Sequence, residues 1–440
     1  MIREGSVMRK TNPLAIRLPP GTIIEGRFLF ETLSLGRYST VFKVEDKLNS
    51  DRKYCIKVEY DRGPKINYLH QEIAVLHKLE TREHMARLYY CERCQPFSFM
   101  LTTLFGKSIW SLRQNLPNKL MSPGCAARIA VHTLYQIKQI HEVGYLLRDL
   151  KTCDMLVGLN GKETKVIFLV NFGMCRTYIR RDTNGSVAIR PEREKAFVRG
   201  ILRYCSLRIH KRQDICRADD LWSLVYILID LTVGLPWREI KVEKAVAEQK
   251  ETISDANLFD NCPEEWIKIM EHVRSLGYQS RPNYKLIYDY LQETLVRFQI
   301  SYSDPWDWDF VDNNVIIEVD SQQRTSPLHF KLKEIDQTGP EQTATQSDHS
   351  ELSSKRERNE NFTDSPKMQN GTETLPGQRN PFKEIIGALQ SSFSSNSVLS
   401  TDQQSSTLPP SKQERSSAIE YDPEFPTTNP EEFEKNDIGI

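Results

Sequence analysis

Leu147-Arg-Asp-Leu-Lys-Thr-Cys-Asp154 sets Lys151 between two aspartates, Asp149 and Asp154, in one short polar stretch with leucines at 147 and 150. Downstream lies Leu169-Val-Asn-Phe-Gly173, and upstream Tyr54-Cys-Ile-Lys-Val58 alternates in the manner of a strand. Between them Ile66, Leu69, Ile73, Leu76 and Leu79 recur at helical spacing, which puts Glu72 in the middle of a helix fifteen residues after Lys57. Any one of these strings is weak. Their order, separations and placement on strand, helix and loop carry the reading together.

Working outward, Arg27–Glu31, Thr40–Val44, Arg87–Cys91 and Phe97–Leu101 also read as strands, with Asn49-Ser-Asp51 as a turn. The texture changes after a crossing at Thr102–Gly106. Ser111–Asn115, Pro123–Val143, Asp219–Leu231, Pro263–Leu276 and Pro282–Phe298 have helical period. The expected fold is α+β: a β-rich small lobe, a larger and mainly helical lobe, and a cleft between them. No cysteine lies beyond Cys262 and no tryptophan beyond Trp308, and the last third is rich in Ser, Thr, Gln, Asn, Glu and Pro. The chain therefore divides into an extension (1–21), a folded domain (22–310) and a tail (311–440) too poor in apolar residues to offset its ordering entropy. Within that tail Asn380–Phe393 reads either as a random apolar cluster or as a short amphipathic helix that folds on a partner protein.

Composition excludes several classes. The 59 basic residues balance 59 acidic ones, so no net charge drives nucleic-acid binding. Leu221–Trp237, interrupted by Ser223 and Asp230, is short for a membrane span and reads as a core helix. No signal sequence is visible, and an odd cysteine count without framework spacing fits reduced thiols, hence a cytoplasmic or nuclear location. Cys91-Glu-Arg-Cys94 has half of a zinc-site spacing but no second pair, and is expected between two strands.

Lys57, Glu72, Asp149 with Lys151, and Asn171-Phe-Gly have the layout of a protein kinase. Phosphoryl transfer from ATP needs positioning and charge neutralisation. A strand lysine held by a helix glutamate suits the α- and β-phosphates. Asp149 can take the hydrogen bond of a substrate hydroxyl, and Lys151 can neutralise the γ-phosphate. Asp154 and Asn171 are left as oxygen ligands for Mg²⁺, or for Mn²⁺.

Asp219-Asp-Leu-Trp-Ser-Leu-Val-Tyr-Ile-Leu228 and Gly234-Leu-Pro-Trp-Arg238 resemble the casein kinase 1 superfamily, in particular its tau-tubulin kinase-like branch. Arg199-Gly-Ile-Leu-Arg-Tyr-Cys-Ser206 with His210, Tyr278-x-x-Arg-Pro-Asn-Tyr284 and Pro305-Trp-Asp-Trp308 agree. The resemblance covers about residues 22–310. It implies a bilobal Ser/Thr protein kinase with ATP at a hinge near Thr102–Phe105, adenine between Val41, Cys55 and Leu156, and Asp220 anchoring the catalytic loop. It also exposes departures. The glycine-rich loop keeps Gly36 but has Ser34 and Ser39 at its other two places. Leu147 stands for a histidine, and Ile201 for a threonine that bonds the catalytic aspartate and lysine. The metal aspartate is Asn171 and the loop asparagine is Asp154, as if the two ligands were exchanged. A pseudokinase scaffold is the alternative reading. Twelve basic residues against four acidic ones between Arg176 and Arg217 favour protein substrates that are acidic or already phosphorylated.

Overall fold

The computed structural model describes residues 18–19, 21–24, 27–36, 39–60, 68–94, 97–311, 385 and 425–440. In the small lobe β1 (Thr22–Ile24), β2 (Phe28–Leu35), β3 (Ser39–Asp46), β4 (Asn49–Tyr60), β5 (Leu88–Cys94) and β6 (Phe97–Thr103) form an antiparallel sheet of order β1-β2-β3-β4-β6-β5. Strict alternation along β3 sends Phe42 and Val44 into one face, where Phe28, Phe30, Ile56, Val58, Phe99 and Leu101 complete a core. Val41, Cys55 and Lys57 are left half-buried by the same alternation. The turn expected at Asn49-Ser-Asp51 falls two residues earlier, at Lys47-Leu48. There the Asp46 carboxylate accepts Leu48 N–H at 3.0 Å and pairs with Arg27 at 2.8 Å, fixing the reversal before β4 starts. Cys91 and Cys94 belong to β5 itself rather than to a connection between strands.

Helix α1 (Tyr68–Lys78) crosses this sheet, and its first turn is closed by Glu59, whose carboxylate accepts Leu69 N–H at 2.8 Å. The large lobe follows: α2 (Ile109–Arg113), α3 (Pro123–Glu142), α4 (Leu207–His210), α5 (Arg217–Thr232), α6 (Glu243–Thr252), α7 (Asp255–Leu258), α8 (Glu265–Ser275) and α9 (Tyr284–Arg297). Short two-stranded pairs, β7 (Tyr145–Leu146) with β10 (Arg176–Thr177), β8 (Met155–Val157) with β9 (Ile167–Leu169), and β11 (Ile179–Arg181) with β12 (Val187–Ile189), carry the cleft-side loops. Ser122 caps α3, accepting Cys125 N–H at 3.2 Å, with Pro123 in the first helical position where its missing N–H costs nothing. Helices α3 and α5 are buried over almost their whole length, so α5 is a core helix, and among the described residues no helix is long and apolar enough to cross a membrane. The bilobal α+β architecture is thus as the sequence led us to expect.

The tail departs from expectation in part. Residues 312–384 and 386–424 lie outside the described residues. Ile385, from the apolar stretch 380–393, is helical and buried in the small-lobe core. Phe425–Ile440, with α10 (Pro430–Glu434), is folded onto the large lobe, and Phe425 and Phe433 join its core. Composition averaged over the tail hides these isolated aromatics, which find a ready-made apolar surface rather than building a core of their own.

His132 is fully buried in α3, its Nδ1 2.7 Å from Thr427 Oγ1, and burial together with the Arg128 charge pulls its pKa down to about 3. An unfolded histidine protonates near 6.5, so between pH 6.5 and 3 the unfolded chain binds more protons and stability is lost as pH falls. Each pH unit in that window removes up to ~1.4 kcal/mol. The difference in unfolding free energy between wild type and His132→Asn should therefore shrink by about 2 kcal/mol from pH 7 to pH 5, measured by denaturant unfolding.

Candidate active site

A polar chain runs across the cleft. Lys57 Nζ donates to Glu72 Oε2 at 2.6 Å and to Asn171 Oδ1 at 3.0 Å. Asn171 Nδ2 donates to Asp154 Oδ2 at 2.9 Å. The same carboxylate oxygen lies 2.9 Å from Lys151 Nζ, which in turn pairs with Asp149 Oδ2. Residues from β4, α1, the loop before β8 and the loop after β9 are thus joined without a break. Lys57 and Glu72 are well covered, with side-chain exposures of 12% and 4%, so their pairing is no surface ion pair.

Each anchor has a local cause. Lys57 sits opposite Val41 in the β3–β4 register, and Cys55 sits opposite Thr102 at the crossing, so these residues share the half-buried sheet face. Burial pushes the Cys55 thiol up to about 11. Leu156, half-buried on β8, belongs to the hairpin that bonds to the crossing through Gly106 N–H to Val157 O at 2.8 Å. Gly36 N–H closes back on Ser39 O at 2.9 Å at the tip of the β2–β3 hairpin. Asn171 has φ 70° and ψ 60°, a left-handed conformation that asparagine and aspartate tolerate far better than other side chains.

The loop Leu147–Asp154 is held from below. Asp220, buried on α5, accepts Leu147 N–H and Arg148 N–H at 2.8 Å each and lies 2.9 Å from His141 Nε2. His141 Nδ1 is 2.7 Å from Tyr284 OH, and Tyr178 OH donates to the His141 carbonyl at 2.9 Å. Arg148 has φ 67° and its Nε donates to Met174 O at 2.8 Å. Burial, with the charges of Arg176 and Arg199, lowers Arg148 to about 10. Leu147 is buried, in keeping with a packing role.

Opposite the loop, Gly200 (φ 81°) comes so close that a Cβ there would stand 2.7 Å from Arg148 O. Ile201 follows it and is 40% exposed, offering no hydroxyl to Asp149 or Lys151. Burial raises Asp154 above the usual carboxylate range, opposed by Lys151 and Asn171. Burial alone would lower Lys151, but Asp154 and Asp149 outweigh it and hold its pKa well above normal.

Comparison with known proteins adds the family. The profile described as protein kinase domain matches residues 29–294. The chain belongs to the protein kinase family. A Caenorhabditis elegans protein named "Putative serine/threonine-protein kinase K06H7.1" is 33% identical over 291 residues, 66% of this chain and 84% of the relative. Casein kinase I homolog 3 of Schizosaccharomyces pombe is 26% identical over 286 residues, 63% of this chain and 64% of that one. A C. elegans relative named inactive tau-tubulin kinase ttbk-6 is 26% identical over 264 residues, 58% of this chain and 91% of its own length. This kinase chain is therefore a member of the casein kinase 1 superfamily.

Proteins of this family use ATP and a divalent metal. In this kinase chain the residues fit an ion held by one carboxylate, Asp154, with nucleotide phosphates as further ligands, since Mg²⁺ is commonly bound through one or two carboxylates and phosphates. Asn171 fits less well, because its oxygen is already taken by Lys57. Sequence reasoning did not find His141 or Tyr178, and it quoted Tyr284 and Gly200 only inside family strings, without their roles. The first three act through buried bonds between distant segments, which leave no spacing signal. Gly200 adjoins Ile201 in a quoted string, and its role shows only as a close backbone approach.

Replacing Asp220 with alanine removes the acceptor of two loop N–H groups. The cost should be roughly 2–5 kcal/mol in urea unfolding, while Asp220→Asn, which keeps one acceptor oxygen, should cost less than half of that.

Proposed function

We propose that this chain is an ATP-dependent serine/threonine protein kinase that transfers the γ-phosphate to protein substrates. The observation that carries the reading is Lys57, held by Glu72 at 2.6 Å and linked across the cleft through Asn171 and Asp154 to Lys151 and Asp149. Bound ATP would supply the phosphoryl group, and Asp154 would hold a divalent ion that neutralises part of the phosphate charge. Lys57 orients the α- and β-phosphates. Asp149 accepts the hydrogen bond of the substrate hydroxyl and aims its oxygen, while Lys151 offsets charge on the transferring group. The loop that presents them is fixed by Asp220, so little reorganisation is left for the reaction itself.

A second reading, a pseudokinase scaffold, is favoured by one arrangement. Asp154 is engaged by both Asn171 and Lys151, and exposed Ile201 leaves Asp149 without its hydroxyl partner. Loss of a well-placed electrostatic stabiliser costs on the order of 10²–10³ in rate.

Acidic or pre-phosphorylated substrates remain the favoured class. A small cleft beside the catalytic loop is lined by four arginines, Arg148, Arg176, Arg190 and Arg193, with Tyr278 and one acid, Asp214. Acids neutralise part of the basic segment: Arg193 pairs with Asp214 at 2.7 Å, Arg208 with Glu192 at 3.2 Å and Lys211 with Glu251 at 2.7 Å. Arg176 and Arg199 are the ones whose charges reach Arg148 and depress it, which leaves a local positive field suited to a phosphate. The cytoplasmic or nuclear location and a protein partner for the tail belong to this proposal as well.

ATP at a hundredfold excess over its Kd should raise the melting temperature by about 5 °C, and Lys57→Ala should abolish most of that rise. No shift in wild type, with or without divalent metal, would count against nucleotide binding altogether. The metal exchange is tested by a cycle of Asp154→Asn, Asn171→Asp and the double change, assayed with Mg²⁺ and Mn²⁺ separately. Asp154→Asn alone should remove metal-dependent nucleotide binding. The double change, which recreates the family arrangement, should speed phosphate transfer to casein by up to roughly a hundredfold, with strong non-additivity. A double variant as inert as the wild type would favour the scaffold.

A further inference from the structure

Residues 425–440 make the contacts of a bound peptide. Phe433 stacks on Tyr288 at 4.5 Å and meets Tyr135 edge-on at 6.3 Å, and Phe425 lies against Tyr302 at 6.4 Å. Thr427 and Thr428 are wholly buried. Thr427 Oγ1 bonds His132, and Tyr288 OH donates to Thr428 O at 2.7 Å. Further along, Asp437 N–H donates to Glu142 Oε2 at 2.7 Å, and Arg281 donates to Lys435 O at 2.6 Å and to Glu142 Oε1 at 3.0 Å. The groove is thus made from α3 and α9, and its polar rim is matched by the segment's main chain. Aromatic anchors in a pocket ringed by hydrogen bonds are what peptide-docking sites use.

The two ends of the segment reach the elements that position catalytic groups. Asp437 pairs with Arg82, in the turn just after α1, the helix that carries Glu72. Arg217 Nη1 donates to Ile440 O at 3.1 Å and to Tyr178 OH at 3.4 Å, while Ile438 and Ile440 pack on the cluster of Leu146, Tyr178 and Ile179. Tyr178 bonds His141, His141 bonds Asp220, and Asp220 holds Leu147 and Arg148. A continuous set of polar contacts, part-buried at its ends and buried between, therefore runs from residue 440 to the catalytic loop.

We propose that residues 425–440 are an intramolecular ligand of a docking groove on α3 and α9, and that its occupancy stiffens the catalytic loop through Arg217, Tyr178, His141 and Asp220. This holds whether the chain transfers phosphate or only scaffolds. The test uses the full chain with a site-specific protease sequence, flanked by Gly-Ser, inserted after residue 400. After cleavage the 401–440 piece should co-elute with the domain on size exclusion, and Phe433→Ala should release it. In the released protein, amides of Leu147 and Arg148 should exchange with deuterium at least about tenfold faster, while amides of β3 and β4 change less than about twofold, since a local opening is read only where its contacts act. A synthetic 425–440 peptide should restore the slow exchange. Release of the unmutated piece on cleavage would overturn the groove. Retention with Phe433→Ala would overturn the role of its aromatic anchor. Release with unchanged exchange at Leu147 and Arg148 would overturn the coupling.

Discussion

The carboxylate of Asp220 is the point on which the cleft depends. It is buried on a core helix, yet it meets two backbone N–H groups and an imidazole nitrogen. A buried acceptor so used fixes the entry to the catalytic loop more firmly than loop packing can, because every alternative leaves donors unsatisfied in a low-dielectric interior. Asp149 and Lys151 inherit their places from it. Gly200 can approach the loop backbone so closely only because it has no Cβ.

From that fixed base the polar chain Glu72–Lys57–Asn171–Asp154–Lys151–Asp149 crosses to the small lobe. Exchange of carboxylate and amide between 154 and 171 leaves the summed charge of the pair unaltered but moves the negative end toward the catalytic loop. There Lys151 already sits between two carboxylates, and its raised pKa reflects them. The neutral amide next to Lys57 keeps that lysine tied to both α1 and the loop after β9, so one side chain links the two lobes.

Much of this was legible in the sequence. Period-two alternation at Thr40–Val44 and Tyr54–Val58 identified the small-lobe strands and the face that carries Lys57, because that pattern follows directly from the pleat. Helical period located α1, α3, α5, α8 and α9 to within two residues or so at most ends. Glu72 was found because a lysine on a strand and a glutamate on a helix have one obvious use in that order. What escaped depends on tertiary contacts. The turn at Lys47-Leu48 is set by Asp46 and Arg27, a pairing nineteen residues apart. The short strands β7 to β12 are too brief to show any period. His141 and Tyr178 look like ordinary helix and loop residues until the chain folds. Docking of Phe425 and Phe433 was hidden by the polar residues around them, since tail composition says nothing of a groove elsewhere in the chain.

The left-handed backbone at Asn171 bears on how this cleft could drift over generations. A residue held at φ 70° and ψ 60° is open mainly to glycine, asparagine and aspartate whatever the cleft is used for. Arg148 shows that this chain accepts other side chains at positive φ, so the backbone at 171 biases the choice toward those three residues without dictating it. Identity at position 171 is therefore a poor record of past selection for activity. Asp149 is under no such backbone constraint, its φ not being among the positive ones, so its survival is the more telling trace.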